Sequence, residues 1–233
     1  MRPGVSLRVM SYNVHGLRDD RAALASVVIE AAPDIVIAQE APRRFRWRYR
    51  CAELAHSWGM YVAAGGLPSL GNLIVTTQRV RIRDAWSVRY PLTPGRHLRG
   101  AAFARCSIGD ATFVVAGTHL ATDAAERPRQ AAAFVAALAD VGDPVIVGVD
   151  VNETPAGESW RSLAGHLADA ALASGPESAE PASTFPATGP KRRIDALFVD
   201  PRCAVDAYGV VATPAARAGS DHLPVFVDVR VPT

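Results

Sequence analysis

Short, continuous apolar runs constrain the fold of this chain more than any other feature of its sequence. Residues 34–39 read DIVIAQ and residues 144–149 read PVIVGV, without the polar alternation of a half-buried strand. Strands of this kind are buried on both faces, which requires further layers of structure on either side of the sheet. Both runs therefore predict a layered α/β fold.

The rest of the chain supplies further strands and a few helices. Helices are predicted over 20–31, 43–57 and 124–139, and strands over 5–12, 34–39, 60–64, 71–76, 79–89, 100–108, 144–149, 194–199, 204–212 and 223–230. Gly109 and Asp110 lie between two apolar runs, which indicates a hairpin turn. Residues 173–192, rich in proline, serine and glycine, are expected to form a surface loop at the lip of the functional site.

Size and composition fit one globular unit. The 233 residues are 49% hydrophobic and 21% charged, which excludes a disordered chain or a fibre. We therefore expect residues 1–233 to form a single domain. The 25 basic and 23 acidic side chains leave a net charge of +2, which argues against a polybasic tail or a coat for nucleic acid.

The sequence also bears on the compartment. No run approaches the roughly 18 apolar residues of a membrane span, and the first residues lack the apolar block of a secretory signal. The three cysteines are odd in number and far apart, so neither a disulfide framework nor a zinc site is indicated. We expect a cytoplasmic monomer with no membrane span.

Polar side chains stand where several predicted strands end or begin. The polar residues that follow an apolar run are Asn13, Glu40, His119, Asp150 and Asn152. Asp195 and the pair Asp221-His222 instead precede the apolar runs near the end of the chain. Ligands of layered α/β folds bind outside strand ends. If the last strands run antiparallel to the earlier ones, all these side chains converge on one cleft.

Each of these residues also has an ordinary structural explanation when taken alone. Asparagine and aspartate are common in turns, a glutamate at a strand end can be a surface charge, and a histidine can be a satisfied core residue. Asp195 could pair with Arg192 or Arg193, and residues 220–222 could cap a loop. Their conjunction favours chemistry, because amide and carboxylate oxygens suit Mg²⁺ or Mn²⁺ and histidines suit proton transfer. The set is typical of metal-assisted phosphoester cleavage.

Six motifs carry a resemblance to a known family. In chain order they are SYNVHG, IAQE, GTHL, DVN, RIDALFV and SDHLPV, and they span residues 11–225. This series resembles the endonuclease/exonuclease/phosphatase superfamily, which includes DNase I, abasic-site endonucleases, sphingomyelinases and inositol phosphatases. The resemblance implies a four-layer α/β sandwich in which two mainly antiparallel sheets pack face to face with helices outside. It also implies a hydrolase of phosphoesters with Mg²⁺ or Mn²⁺ as cofactor.

The resemblance assigns the metal and the attacking water to one group of residues. Glu40 would be the main metal ligand, with Asn13 nearby as a ligand or through a water, and Asp221 could bind a second cation. Asp150 would orient or deprotonate the attacking water. Asn152 would hold that water or the phosphate.

The same resemblance gives the histidines their roles. His222 would contact the scissile phosphate or move a proton, with Asp195 fixing the orientation of its ring. His119 would hydrogen-bond the phosphate and could assist the leaving group. The general base stays open between Asp150 and the His222–Asp195 pair.

The chain departs from the family pattern at two positions. The usual Gly-Asp-x-Asn run has one additional residue after the glycine, over residues 148–152, and the tyrosine often found after Arg-Ile-Asp is Ala196. Because the Asp-x-Asn spacing survives, we expect the function to survive. Arg99 resembles an arginine found near the phosphate, and Phe185 resembles an aromatic residue that borders the cleft. We expect both to bind substrate.

The substrate is the least constrained part of the prediction. Residues 43–50 read RRFRWRYR, which could bind a nucleic-acid backbone and stack on bases, or could form a helix whose aromatic rings pack inward. We favour a phosphodiester substrate, and within that class a nucleic acid. The alternatives are a phosphomonoesterase of the inositol-phosphate type, a sphingomyelinase-like lipid phosphodiesterase and a non-catalytic binding module.

Overall fold

Two six-stranded sheets form the centre of the molecule. The structure is a computed structural model and describes residues 4–175 and 182–233. Within that part the strands are β1 (Gly4–Asn13), β2 (Ile35–Gln39), β3 (Tyr61–Gly66), β4 (Asn72–Thr76), β5 (Arg81–Arg89), β6 (Gly100–Ile108), β7 (Ala111–His119), β8 (Val145–Asp150), β9 (Ala168–Asp169), β10 (Asp195–Val199), β11 (Ala204–Val210) and β12 (Val225–Pro232). The first sheet has the order β11-β12-β1-β2-β4-β3 and the second the order β5-β6-β7-β8-β10-β9.

Both sheets are mainly antiparallel. In each, only one pair among the described strands is parallel: β1 with β2 in the first sheet, and β7 with β8 in the second. The helices are α1 (Arg21–Ala31), α2 (Trp47–Ser57), α3 (Arg127–Ala139), α4 (Glu158–Ala164), α5 (Ala170–Ala173) and α6 (Pro214–Gly219), with a 3-10 turn over His15–Leu17. No described helix has the length and apolar character that crossing a membrane requires.

Side-chain alternation along the strands explains the four layers. In β1, Leu7 and Val9 point toward the second sheet, whereas Met10 and Tyr12 point toward the helices that cover the first. The second sheet repeats this division, with Ile146 between the sheets and its neighbours facing α3 and α4. Both faces of each central strand are therefore apolar, which confirms the predicted sandwich and explains the continuous apolar runs.

Most predicted elements are confirmed, but two helices begin later than predicted. The helix predicted over 124–139 begins at Arg127. The predicted helix 43–57 begins only at Trp47, because Arg46 adopts a left-handed conformation with φ 58°. Pro128 lies in the first turn of α3, as predicted. The short helices α4, α5 and α6 were not predicted, since each spans seven residues or fewer and gives little periodicity. The expected loop 173–192 includes residues 176–181, which lie outside the described residues.

Candidate active site

The two sheets bring four predicted residues to one rim. His119 lies beside Asp150 in the parallel register of β7 and β8, and Asp150 lies beside Asp195 in the antiparallel register of β8 and β10. These positions continue the rows of side chains that point between the sheets. Asn13, at the end of β1, continues the equivalent row of the first sheet. The apolar layer between the sheets therefore ends in a buried polar layer at this rim.

Asp150 is the centre of this layer. Its Oδ2 accepts a hydrogen bond from Nδ2 of Asn13 at 2.9 Å, a contact that joins the two sheets. Its Oδ1 accepts a hydrogen bond from the backbone N–H of Asn152 at 2.9 Å. The side chain is buried, and its pKa is raised, first by burial and then by the nearby charge of Asp195.

His222 is oriented by a buried carboxylate. Its Nδ1 lies 2.9 Å from Oδ2 and 3.1 Å from Oδ1 of Asp195, and its Nε2 lies 3.8 Å from Oδ2 of Asp150. The loop before β12 is fixed by Ser220, whose hydroxyl donates to the Asn13 carbonyl and accepts from the His222 backbone N–H. Nε2 of His222 is thereby left facing the cleft.

The environment of His222 favours its charged form. Burial lowers the pKa of the imidazole, but the Asp195 carboxylate, with smaller contributions from Asp150 and Asp221, raises it to about 9. His222 is therefore protonated at neutral pH. It can donate a hydrogen bond to an anion through Nε2.

The protonation state of His119 is the opposite of that of His222. Burial, followed by the positive charges of Arg99 and His222, lowers its pKa well below the ordinary value, so the ring is neutral. Nδ2 of Asn152 lies 2.9 Å from Nε2 of His119 and donates to the Leu120 carbonyl at 3.0 Å. Since Nε2 accepts from this amide, its 3.3 Å approach to Asp150 is not an ion pair. His119 thus holds Asn152 in place.

A cleft of about 810 Å³ opens above this layer. Glu40, Arg99, Phe185 and Asp221 line it, and the ring centroid of Phe185 lies 4.8 Å from that of His222. Asn13 and Asp195 are not among the side chains that line the cleft, because they lie beneath Asp150 and His222.

Four non-glycine residues of the cleft, His15, Glu40, Leu70 and Asn152, hold a left-handed backbone conformation, and two of them are predicted site residues. Glu40 and Asn152 each have a left-handed φ of 55°, where non-glycine residues are rarely found. Each follows a strand and is turned toward the cleft by this conformation. Such strain persists where the surroundings impose it and is concentrated at functional sites.

The chemistry of the donor set fits a hard divalent cation. Within residues 4–175 and 182–233, nothing donates a hydrogen bond to the Glu40 carboxylate, although it lines the cleft. Oδ1 of Asp221 is buried and also lacks a hydrogen-bond donor. Oxygen atoms of Asp150 and Asp195 and a ring nitrogen of His222 lie within 4.8 Å of one another. Because the protonated ring has no lone pair to offer, the carboxylates are the candidate ligands of this group. Unsatisfied carboxylate oxygens are the ligands that Mg²⁺ and Mn²⁺ prefer.

The sequence missed several residues of the cleft. His15 lines it, and Nδ1 of His15 lies 2.7 Å from Oδ2 of Asp19 and 3.6 Å from Oδ1 of Asp221. Arg192 reaches the cleft and donates to the Asn152 carbonyl at 3.2 Å. The histidine of SYNVHG was a visible signal for His15, but arginine is so frequent in this chain that Arg192 carried none.

Comparison with a protein family supports the likeness seen in the motifs. A model described as "Endonuclease/Exonuclease/phosphatase family" matches residues 10–222 of this chain. No curated protein gives a significant match.

Solved structures share the whole fold. An endonuclease/exonuclease/phosphatase from Bacteroides vulgatus is 17% identical, with a TM-score of 0.80 over 97% of this chain and 99% of the other. A mannosyl-6-phosphatase from Bacteroides thetaiotaomicron is 18% identical, with a TM-score of 0.75 over 96% and 99% of the two chains. TDP2 from D. rerio, complexed with a single-stranded DNA product, is 19% identical, with a TM-score of 0.76 over 96% and 98%. At these identities the likeness establishes the fold.

Proposed function

Because this chain belongs to the endonuclease/exonuclease/phosphatase family, we propose that it is a divalent-metal-dependent phosphoester hydrolase, and within that class a phosphodiesterase of the nuclease type. One observation carries the proposal. Asp150 and His222 line the floor of a cleft together with Glu40 and Arg99, and Asp195 lies beneath His222 in the same buried cluster. This arrangement joins carboxylates for a cation with cationic donors for a phosphate.

Glu40 is the proposed main ligand of Mg²⁺ or Mn²⁺, with Asn13, buried beneath Asp150, assisting through a water, and Asp221 is the proposed ligand of a second ion. When bound, the cation offsets the negative charge of the phosphoester and stabilises the charge that develops in the transition state. Asn13 contributes in a second way, since its amide keeps Asp150 in position across the two sheets.

His222 and Asp195 are proposed to act on the phosphate. The Asp195 carboxylate fixes the ring and keeps it protonated, so Nε2 donates to a phosphate oxygen. Arg99 adds a second cationic donor, because its side chain lines the cleft and its buried Nε has no hydrogen-bond partner among the residues that the structure describes. Removal of one such donor costs about 10²- to 10³-fold in rate.

Asp150 is the proposed general base. A protonated His222 cannot accept a proton at neutral pH, whereas burial raises the pKa of Asp150 and makes its carboxylate a better acceptor. Both Nδ2 hydrogens of Asn152 are taken by His119 and the Leu120 carbonyl, so its proposed role is to orient the water, which donates to its Oδ1. Phe185 packs against His222 and is the proposed apolar contact for the group next to the phosphate.

Nuclease activity is favoured by the cationic character of the cleft. Seven arginines line it against three carboxylates, which fits a substrate with several phosphates. The alternative is a phosphomonoesterase, which the likeness to a mannosyl-6-phosphatase supports. A sphingomyelinase-like activity and a non-catalytic module are further alternatives, which the activity panel described below separates.

The proposal also covers the compartment, the domain organisation and the oligomeric state of the enzyme. Cys51, Cys106 and Cys203 are free thiols, which supports a reducing compartment such as the cytoplasm. We propose that residues 1–233 act as one domain and as a monomer.

An activity panel tests the proposed function. Plasmid DNA, abasic-site duplex, RNA, an inositol phosphate and sphingomyelin are each incubated with Mg²⁺, and separately with a chelator. We expect metal-dependent cleavage of the nucleic acids and a loss of about 10²-fold or more in His222→Ala. His166→Ala is the matched control, because His166 lies outside the cleft and its ring Nδ1 contacts the Ser162 carbonyl at 2.9 Å.

Two results would contradict the proposal. Cleavage that persists in the presence of a chelator would show that the reaction does not depend on a metal ion. Full activity of His222→Ala, with its fold verified by circular dichroism, would show that the proposed site does not carry out the reaction.

A further inference from the structure

The segment over residues 43–50, called here the arginine wall, is the most strongly charged stretch of the surface. It contains five arginines and no acidic residue, in a chain whose net charge is only +2. None of these arginines forms an ion pair with a residue that the structure describes. Elsewhere, arginines such as Arg8, Arg193 and Arg230 are paired with aspartates. The wall therefore keeps its charge free for an external anion.

Two aromatic rings of the wall face solvent. Phe45 is 87% exposed and Tyr49 is 59% exposed. The guanidinium of Arg46 lies 4.9 Å from the centroid of the Tyr49 ring, which places a cation over one face of that ring. Trp47 is different, because it packs over Gly66 and is half-buried. The sequence alternative in which all three rings pack inward is therefore wrong for Phe45 and Tyr49.

The wall continues into the cleft. Arg43, Arg44 and Arg50 line the cleft together with Glu40, which precedes the wall by three residues. Arg43 is anchored there through a hydrogen bond to the Leu70 carbonyl at 3.0 Å. A nucleic-acid strand with one phosphate at His222 can thus extend along the arginines of the wall until its bases reach the exposed rings.

We propose that the arginine wall binds single-stranded nucleic acid, with an unpaired base stacked on Phe45 and neighbouring phosphates on the arginines. This assignment rests on the proposed function, whose substrate it names. Base stacking on aromatic rings is tolerant of sequence, and arginines along a groove follow the backbone. A paired base presents only its edge, so the exposed ring favours unpaired strands over a duplex.

A membrane surface is the other polyanion that such a wall could meet, but the apolar groups do not fit it. The buried face of α2 carries Cys51, Leu54 and Ala55 and packs on the core. Only Phe45 and Tyr49 of the wall are exposed large apolar side chains. A helix that lies in a membrane needs a continuous apolar face directed outward.

Binding in a chelator tests this proposal separately from catalysis. Fluorescence anisotropy is measured with a labelled single-stranded oligothymidylate and with an oligonucleotide of equal length made of abasic sites, which keeps the phosphates and lacks the bases. We expect Phe45→Ala to weaken binding of oligothymidylate about tenfold. Binding of the abasic strand should change little in this variant. Leu172→Ala is the control, because Leu172 is an exposed apolar residue outside the cleft.

Salt dependence tests the arginines. In the double variant Arg46→Gln/Arg50→Gln, the slope of log K against log salt should fall in magnitude by about 0.7 for each phosphate that the protein no longer neutralises. Arg81→Gln/Arg129→Gln removes the same charge at exposed positions outside the cleft and should keep the wild-type slope.

The possible outcomes distinguish a failure of this inference from a failure of the proposed function. Equal binding of the two strands by the wild type, or tighter binding of anionic phosphatidylserine vesicles than of oligothymidylate, would overturn the assignment of the wall. Hydrolysis of a small phosphodiester without strand binding would overturn this inference and keep the proposed function. Strand binding by a protein that cleaves no phosphoester would support the wall and overturn the proposed function.

Discussion

Glu40 and Asn152 show how single residues direct this site. Both leave the regular strand conformation at the residue where their side chains turn into the cleft. A left-handed backbone at a non-glycine residue costs about 1 to 3 kcal/mol, which the surrounding sheets must offset. Sequence could identify both as polar residues after apolar runs. It could not show their backbone conformation, because that depends on contacts with the loops around them.

The charge of His222 is a prediction at the residue scale. In the metal-free protein, Asp195→Asn should lower the pKa of His222 by about 1 to 3 units, because the opposite charge that favours imidazolium is removed and burial remains. NMR titration of the histidine ring protons measures this change.

The direction of this pKa shift also determines how the stability of the fold depends on pH. Since the pKa of folded His222 is raised, its pairing with Asp195 stabilises the fold below the ordinary pKa of 6.5 and loses this effect as pH rises through about 9. The difference in stability between wild type and Asp195→Asn should therefore shrink at high pH. A titration midpoint that does not move in the variant would show that Asp195 has no such role.

At the scale of elements, paired glycines set the separation of the sheets below the site. Gly117 of β7 lies beside Gly148 of β8, and both face Ile37 of β2 in the other sheet. A Cβ at Gly148 would lie 2.9 Å from Ile37 and from the Ser11 hydroxyl. The additional residue after Gly148 in the chain places Asp150 two positions on, and so on the same face of β8 as the glycine.

Gly148→Ala should therefore affect both stability and catalysis. Overpacking of this layer costs about 1 to 3 kcal/mol and lowers the melting temperature by about 2 to 12 °C. Phosphoester hydrolysis should fall as well, because the bond between Asn13 and Asp150 crosses the same gap. Thermal unfolding and turnover measure the two effects.

Gly142→Ala is the matched control for this variant. No atom lies within 4 Å of a Cβ at Gly142, so its effect should stay within about 0.5 kcal/mol. If Gly148→Ala were as stable and as active as this control, the close approach of the sheets would not matter to the site.

The strands were more predictable than the helices. β6 spans the predicted residues 100–108, and the turn at Gly109 and Asp110 joins it to β7 as expected. The start of α2 was misplaced because arginine is a good helix former, and nothing local requires the left-handed turn at Arg46. Tertiary contacts decide that position.

At the scale of the whole molecule, the predicted site residues come together although up to 209 positions separate them, as for Asn13 and His222. Polar strand ends were sufficient to find them, since the strands that carry them share one rim. The proposed roles remain predictions. Arg99 and the arginines of residues 43–50 were predicted as contacts for substrate or nucleic acid. Arg18, Arg127 and Arg192 of the cleft were not found, because their relation to the rim depends on how loops fold over the sheets.

Metal binding should stabilise the whole molecule. At 100 times its Kd, Mg²⁺ would add about 2.7 kcal/mol to the free energy of unfolding and raise the melting temperature by about 5 to 11 °C. Glu40→Gln should lose most of this shift, because it removes the proposed main ligand. Differential scanning calorimetry with and without Mg²⁺ measures it.

Glu53→Gln serves as the control, since Glu53 is an exposed glutamate of α2 outside the cleft. It should keep the full shift. An equal shift in Glu40→Gln would place the stabilising ion elsewhere.

The pairing of β1 with β12 joins segments more than 200 residues apart, with Gly4 opposite Pro232. During synthesis β1 can meet β2 early, but its other edge stays open until β12 has left the ribosome. His222 arrives just ahead of that same strand. Contacts of such long sequence separation fold slowly. Until residues 222–232 have emerged, the nascent polypeptide therefore lacks its complete set of reactive groups while it is held beside the messenger RNA that encodes it.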